Sequence, residues 1–99
     1  MTADVNAAGH LTIGGCDVVS LAEMYGTPLY VYDEHTIREM CRAFVDGFAS
    51  EYPDSHISYS SKAFATPALA LILEDEHVGM DVVTGGELAI ARAAEFPAA

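Results

Sequence analysis

The stretch H56-I-S-Y-S-S-K-A-F-A-T66 decides the fold. Ile57 and Tyr59 alternate with Ser58 and Ser60, a period of two rich in β-favouring residues, which predicts a short strand. Thr66 and Pro67 then read as the N-cap and first position of a helix. Lys62 therefore falls at or just past the carboxyl end of a strand, ahead of a βα loop, where α/β sheets place their chemistry. It is the only lysine; the other basic residues apart from histidine are Arg38, Arg42 and Arg92. An amine can lose its proton and attack a carbonyl, whereas a guanidinium stays charged. Two readings stand for Lys62: a lysine that bonds an aldehyde cofactor, or a solvated lysine at a strand end.

Working outward, Val78–Val83 reads as a further strand, and Thr84-Gly-Gly-Glu87 as the capping box that opens a helix through Leu88, Ile90 and Ala91. The segment after Pro67, ALALILEDEH, is apolar nearly all round in its first half, which predicts burial on more than one side. Glu74, Asp75 and Glu76 gather at its end, where the helix dipole disfavours anions. Upstream, Asp33 is placed to cap a helix whose apolar residues are Ile37, Met40, Cys41, Phe44, Val45 and Phe48, one helical face. Arg42 and Asp46 form an i,i+4 pair on it. Leu29–Asp33, LYVYD, predicts a strand. Ser20-Leu-Ala-Glu23 has capping-box spacing for a short helix, with Gly26 and Pro28 as its stop. Leu11–Ile13 predicts a short strand halted by Gly14-Gly15, and Met1–His10 a loose tail. Tyr30, Tyr32 and Tyr59 are assigned to the core.

Strands alternating with helices through short loops predict a parallel sheet built of βαβ units. Ninety-nine residues allow one small domain or part of a larger one. Two or three βα units leave edges and faces uncovered, so the chain is expected to be an N-terminal part of a larger α/β protein. A hydrophobic content of 52% fits a packed chain. The net charge of −11 argues against nucleic acid and against an anionic membrane surface. No apolar run reaches a membrane span of about 20 residues, and MTADVNAAGH has no secretory pattern. Cys16 and Cys41 lack metal or redox spacing, and Cys41 lies on an apolar helix face. This favours a reducing, cytoplasmic setting. His10, His35, His56 and His77 are scattered, and no metal is assigned.

Two acidic residues, Asp81 and Glu87, are candidate neighbours of Lys62. Asp81 interrupts an apolar strand and is placed either beside the lysine across the sheet or at a solvated strand end. Glu87 is explained by its cap alone, although helix starts border strand ends. Gly85-Gly86 offers free N–H groups to a phosphate or simply makes a turn.

The strings GTPLYVYDEHTIR, YSSKAFA and GMDVVTGGEL, in that order, resemble the diaminopimelate branch of the alanine-racemase-like pyridoxal-phosphate decarboxylases. Ornithine and arginine decarboxylases belong to the same wider family. The Y-x-x-K-A pattern marks that family, and the other two strings point to the branch. The resemblance runs from about Leu11 to the last residues. It implies a (β/α)8 TIM barrel that carries pyridoxal 5′-phosphate, plus an accessory β-domain. Residues 1–33 would contribute to the β-domain or its junction, and 34–99 would form the first βα units of the barrel. Lys62 would be the Schiff-base lysine, with Asp81 and Glu87 as acidic residues beside the lysine and cofactor. The implied reaction is decarboxylation of meso-diaminopimelate to L-lysine by a homodimer. Other decarboxylases or racemases of the fold, and a truncated non-catalytic fragment, are the alternatives. Phe64 departs from the family, which usually carries Asn or a smaller polar residue there.

Overall fold

The computed structural model describes residues 2–98; Met1 and Ala99, the outer ends of the two expected segments, lie outside them. The chain divides into two compact units, Met1–Glu39 and Met40–Ala99.

The first unit contains an antiparallel meander: β1 (Ala3–Val5), β2 (Leu11–Ile13) and β3 (Cys16–Asp17), in that order. β2 and its Gly-Gly stop are as expected. Gly14 and Gly15 both have positive φ, the two-residue turn whose twist matches a hairpin. The loose tail is corrected, since Ala3–Val5 pairs with Leu11–Ile13. Its sequence carries no alternation; a strand exposed on both faces forms only because a turn brings it to a partner. That turn is held by Asn6, whose Oδ1 accepts from the Ala8 and His10 amides, both at 3.0 Å.

Helix α1 (Val18–Tyr25) begins three residues before the position expected from a Ser20 cap. Asp17 is its N-cap, accepting from the Val19 and Ser20 amides at 2.8 and 3.3 Å. Aspartate caps as well as serine, and this one is already fixed through its other oxygen by Asn6 and His10. Gly26 ends the helix with φ 82°. The strand expected at Leu29–Asp33 does not form, because no strand lies beside it among the described residues. Tyr30 is 87% exposed, and Tyr32 is exposed as well, so neither belongs to a core. Asp33 does cap the next helix. Its carboxylate accepts from the His35 amide and the Thr36 hydroxyl, and the Thr2 hydroxyl donates to it from the amino end of the chain.

Helix α2 (Glu34–Glu51) runs from the first unit into the second. It has the expected span, but no residue of it is buried, and Met40, Phe44 and Phe48 stay about half exposed. Arg42 reaches beyond its own helix: Nε and Nη2 donate to the two Glu76 carboxylate oxygens, each at 2.8 Å. This fork is the counter-charge that the acidic cluster at residues 74–76 lacks in the sequence.

The second unit is one βαβ unit with a trailing helix. β4 (Ser58–Ser60) and β5 (Gly79–Asp81) pair in parallel, with Ser58 opposite Gly79 and Ser60 opposite Asp81. Helix α3 (Pro67–Asp75) crosses between them, capped by Thr66, whose hydroxyl accepts from Leu69 N at 3.1 Å. Helix α4 (Gly85–Ala93) opens with the expected Thr84–Glu87 capping box. The core is Leu69, Ala70 and Leu73 of α3 with Val78 and Ala91. α3 buries one side only, since Leu71 is 52% exposed; the expected burial on several sides is corrected.

Both helices end without the glycine that usually marks a left-handed cap. His77 N and Val78 N donate to Glu74 O and Leu73 O, and Glu95 N and Phe96 N donate to Arg92 O and Ala91 O. These are paired Schellman closures, with His77 (φ 60°) and Glu95 (φ 56°) in the left-handed position.

Replacing His77 or Glu95 by Gly removes Cβ strain at a position already in that conformation. Each is expected to raise stability by about 1 kcal/mol in a denaturant titration followed by circular dichroism, with α3 and α4 retained. The Asp17 carboxyl is lowered from its ordinary 3.8 to about 2. The His10 ring contact is the largest cause; desolvation opposes it, and Asn6 and the Ser20 and Val19 amides add to the lowering. A depressed carboxyl contributes stability above its unfolded value and loses it as pH falls through the folded one. The meander should therefore hold down to about pH 3.8 and weaken between there and about 2, as read from its amide resonances. Asp17→Asn should flatten that acid limb.

Candidate functional site

The site is built on the paired ends of β4 and β5. A Cβ placed on Gly79 would lie 2.8 Å from His56 Nε2 and 3.1 Å from Ser58 Oγ, so His56, Ser58 and Gly79 share one face. Paired residues of a ladder share a face, and so do residues two apart in a strand. Ser60 and Asp81 therefore lie on that face too. The opposite face carries Ile57, Tyr59 and Ser61 with Val78, Met80 and Val82, and it is the covered one: Ser61 is 2% and Val78 4% exposed. The sheet is thus apolar where α3 packs and polar on its other side.

Beyond Ser60 the chain leaves the ladder in a tight turn. Ser61 N donates to Asp81 O at 3.0 Å, and Ala63 N to Ser60 O at 3.2 Å. The Tyr59 phenol donates to Phe64 O at 2.8 Å. Lys62 sits in this turn and is exposed. The strand-end position expected for it holds, and the register puts the Asp81 backbone immediately alongside. Asp81 is exposed too. Neither side chain forms an ion pair or hydrogen bond among the described residues, so the direct contact between them is not made here.

Glu87 is buried at 8% exposure. Its Oε2 accepts from Thr84 N at 3.0 Å and Thr84 Oγ1 at 2.7 Å, while its amide donates to Thr84 Oγ1 at 3.1 Å. Oε1 is buried without a partner among the described residues. The cap thus uses one carboxylate oxygen and leaves the other an unspent acceptor. The Ser61 hydroxyl is also buried and unpartnered, but on the covered face. A Cβ on Gly85 would meet nothing within 4 Å, so the start of α4 is open.

A cavity of about 840 Å³ reaches this polar face at His56, Ser58 and Gly79. His56, His77, Met80, Leu88, Arg92 and Phe96 are among its walls, and it wraps the unpaired edge of β5. Lys62, Asp81 and Glu87 do not line it. Among the described residues no three His, Cys, Asp or Glu side chains are grouped to hold a metal. Cys16 and Cys41 are free, Cys16 exposed and Cys41 half-buried. No described helix is long and apolar enough to cross a membrane. Sequence reasoning assigned Tyr59 to the core and missed its hold on the lysine turn. The three-residue spacing from Tyr59 to Lys62 was the available signal.

No protein-family model matches the chain. Curated relatives do. The diaminopimelate decarboxylase of Bacillus subtilis (strain 168) is 50% identical over 97 residues, 98% of this chain and 22% of the relative. That of Bacillus methanolicus is 49% identical over 96 residues, 97% of this chain and 22% of the relative. The archaeal enzyme of that name from Methanothermobacter thermautotrophicus is 47% identical over 93 residues, 94% of this chain and 22% of the relative. The chain spans about a fifth of the length of these relatives. By sequence, it is related along nearly its whole length to the N-terminal portion of the diaminopimelate decarboxylases.

Proposed function

We propose that the chain supplies the amine-bearing segment of a pyridoxal-phosphate-dependent decarboxylase that converts meso-diaminopimelate to L-lysine. The observation that carries this reading is the position of Lys62. The only lysine stands in an exposed turn at the carboxyl end of a parallel strand, with the Asp81 backbone bonded beside it. The 40% to 50% identity to decarboxylases of that name supports the substrate.

The residues present fit an aldehyde cofactor with a phosphate. An accessible primary amine is the group that condenses with an aldehyde. A buried acceptor, Glu87 Oε1, stands unpaired, and the space around Gly85 at the start of α4 is open to a ligand. Pyridoxal phosphate, when bound, supplies the electron sink that lets a substrate carboxylate leave as carbon dioxide. The chain's own part is narrower. Lys62 would hold the cofactor through its amine, which must be uncharged to bond a carbonyl carbon. Asp81, on the same polar face as Ser60, is within a strand's width of the turn and would orient the amine and keep its proton close. Glu87 would accept a hydrogen bond through Oε1 while Oε2 stays committed to Thr84.

The barrel belongs to the same proposal. The parallel β4–α3–β5 unit, with its crossover helix on one face, supports a first strand–helix–strand repeat of such a barrel. Residues 1–33 would then join the accessory β-domain and 34–99 open the barrel, in a cytoplasmic homodimer. The competing reading is a chain that keeps these elements without holding a cofactor. It is favoured by the exposure of Lys62 and by its absence from the cavity wall.

One experiment separates the two. The 99-residue chain is incubated with pyridoxal 5′-phosphate over a concentration series, reduced with borohydride and mapped by mass spectrometry. A saturable adduct on Lys62, faster than at the terminal amine and lost in Lys62→Arg, is expected. Labelling at Lys62 that is linear in concentration and no faster than at the terminus would leave the chain without a cofactor site.

A further inference from the structure

We infer that Tyr59 is the positioning residue for the Lys62 amine, acting through its phenol hydroxyl; this rests on the role proposed above for Lys62. Hydrogen bonds of three kinds tie down the turn that carries the lysine. Ser61 N to Asp81 O ties its start to the neighbouring strand, and Ala63 N to Ser60 O closes it locally. Tyr59 Oη to Phe64 O, at 2.8 Å, ties its return. The first two run between backbone groups and survive any side-chain change. The third is the only one of them that depends on a side chain, and it spans the lysine from three residues before to two residues after.

The anchor is well placed for this work. Tyr59 lies within β4, on the sheet face that α3 covers, and its ring is half-buried. A strand residue thus holds the turn that carries the lysine. Ala63 and Ala65 carry no polar side-chain atom that could do the same. The acceptor is a backbone carbonyl, so the residue type at position 64 does not matter to the bond. This explains how Phe64 can stand where the resembled family carries a small polar residue. Burying most of a tyrosine ring while giving its hydroxyl a partner is ordinary. Here the partner is the carbonyl two residues past the lysine, so the bond spans the turn that carries it.

Tyr59→Phe removes the hydroxyl and keeps the ring, so the fold should persist with an unchanged circular dichroism spectrum. Two readouts on the full chain test the assignment. Amide hydrogen exchange at Ala63 to Ala65 should speed up about five-fold, the loss expected of one ordinary hydrogen bond, while α3 and α4 amides keep their rates. Borohydride-trapped labelling of Lys62 by pyridoxal 5′-phosphate, taken as a ratio to the terminal amine, should fall by a similar factor. Unchanged loop exchange would overturn the clamp. Faster exchange with an unchanged labelling ratio would overturn the positioning role, since a merely structural bond loosens the loop without affecting the amine's chemistry. A wild-type chain labelled no faster at Lys62 than at its terminus is a different failure: it sinks the decarboxylase reading and the positioning role along with it.

Discussion

The parallel pairing of β4 with β5 is the constraint on which the site depends. Each strand is three residues long, and a two-stranded sheet of that size has no independent stability in water. It exists because α3 crosses between the strands and buries Leu69, Ala70 and Leu73 against Val78. Burial of a large aliphatic side chain contributes roughly 1.5–3 kcal/mol, so these few residues set the scale of the unit's stability. The crossover is held at both ends by local bonds: the Thr66 cap where the chain enters, and the closure at His77 and Val78 where it leaves. Val78 serves in both, since the residue whose amide ends the helix is also core and leads directly into β5. Chain direction, helix length and strand register are therefore set together.

From that pairing follows the asymmetry of the sheet's two faces. Strand alternation sends Ile57, Tyr59, Ser61, Val78, Met80 and Val82 to the helix side and His56, Ser58, Ser60, Gly79 and Asp81 to the other. Gly79 is the tight point of the polar face, where a side chain would collide with His56 and Ser58. The ladder does not stop at Ser60; Ser61 N still bonds to Asp81 O, so β5 holds the lysine turn before the turn begins to close. An amine at the carboxyl end of a sheet is a generic arrangement. Here the backbone on either side of it is tied, by Ser61 N to Asp81 O before the lysine and by the Tyr59 phenol to Phe64 O after it.

Much of this was legible because the deciding signals are local. Thr66-Pro67, Asp33 and Thr84-x-x-Glu87 each bring a side-chain oxygen to its own helix start within three residues, and all three cap as expected. The βαβ alternation was legible for the same reason. What failed was non-local or lacked a marker. Ser20 had the right spacing for a cap, but Asp17 was already held by Asn6 and His10 across a turn and took the role. Ala3–Val5 has no pattern and becomes a strand by pairing. His77 and Glu95 adopt left-handed φ without the glycine that would announce it, because core burial of the residues around them drives the closure. The partner of the acidic 74–76 cluster was hidden too, since Arg42 lies 34 residues before Glu76.

A second kind of mismatch has one physical cause. Leu29–Asp33 has strong β-propensity and stays unpaired among the described residues, and α2 carries a continuous apolar stripe that none of its residues buries. Both patterns were read correctly as patterns. Alternation and helical periodicity record which surface of an element is apolar; they do not record what covers it. A cap completes itself within one turn of chain, so its sequence signal and its structure coincide. A strand needs a second edge and an amphipathic helix a second face, and those lie at a distance the local sequence does not encode. The candidate site is of the first kind where it is secure, at the Thr84–Glu87 box and the Tyr59–Phe64 bond. It is of the second kind where it stays open, on the polar face of Ser58, Ser60 and Asp81. Lys62 stands at the junction of the two, with its backbone fixed by near neighbours and its side chain exposed.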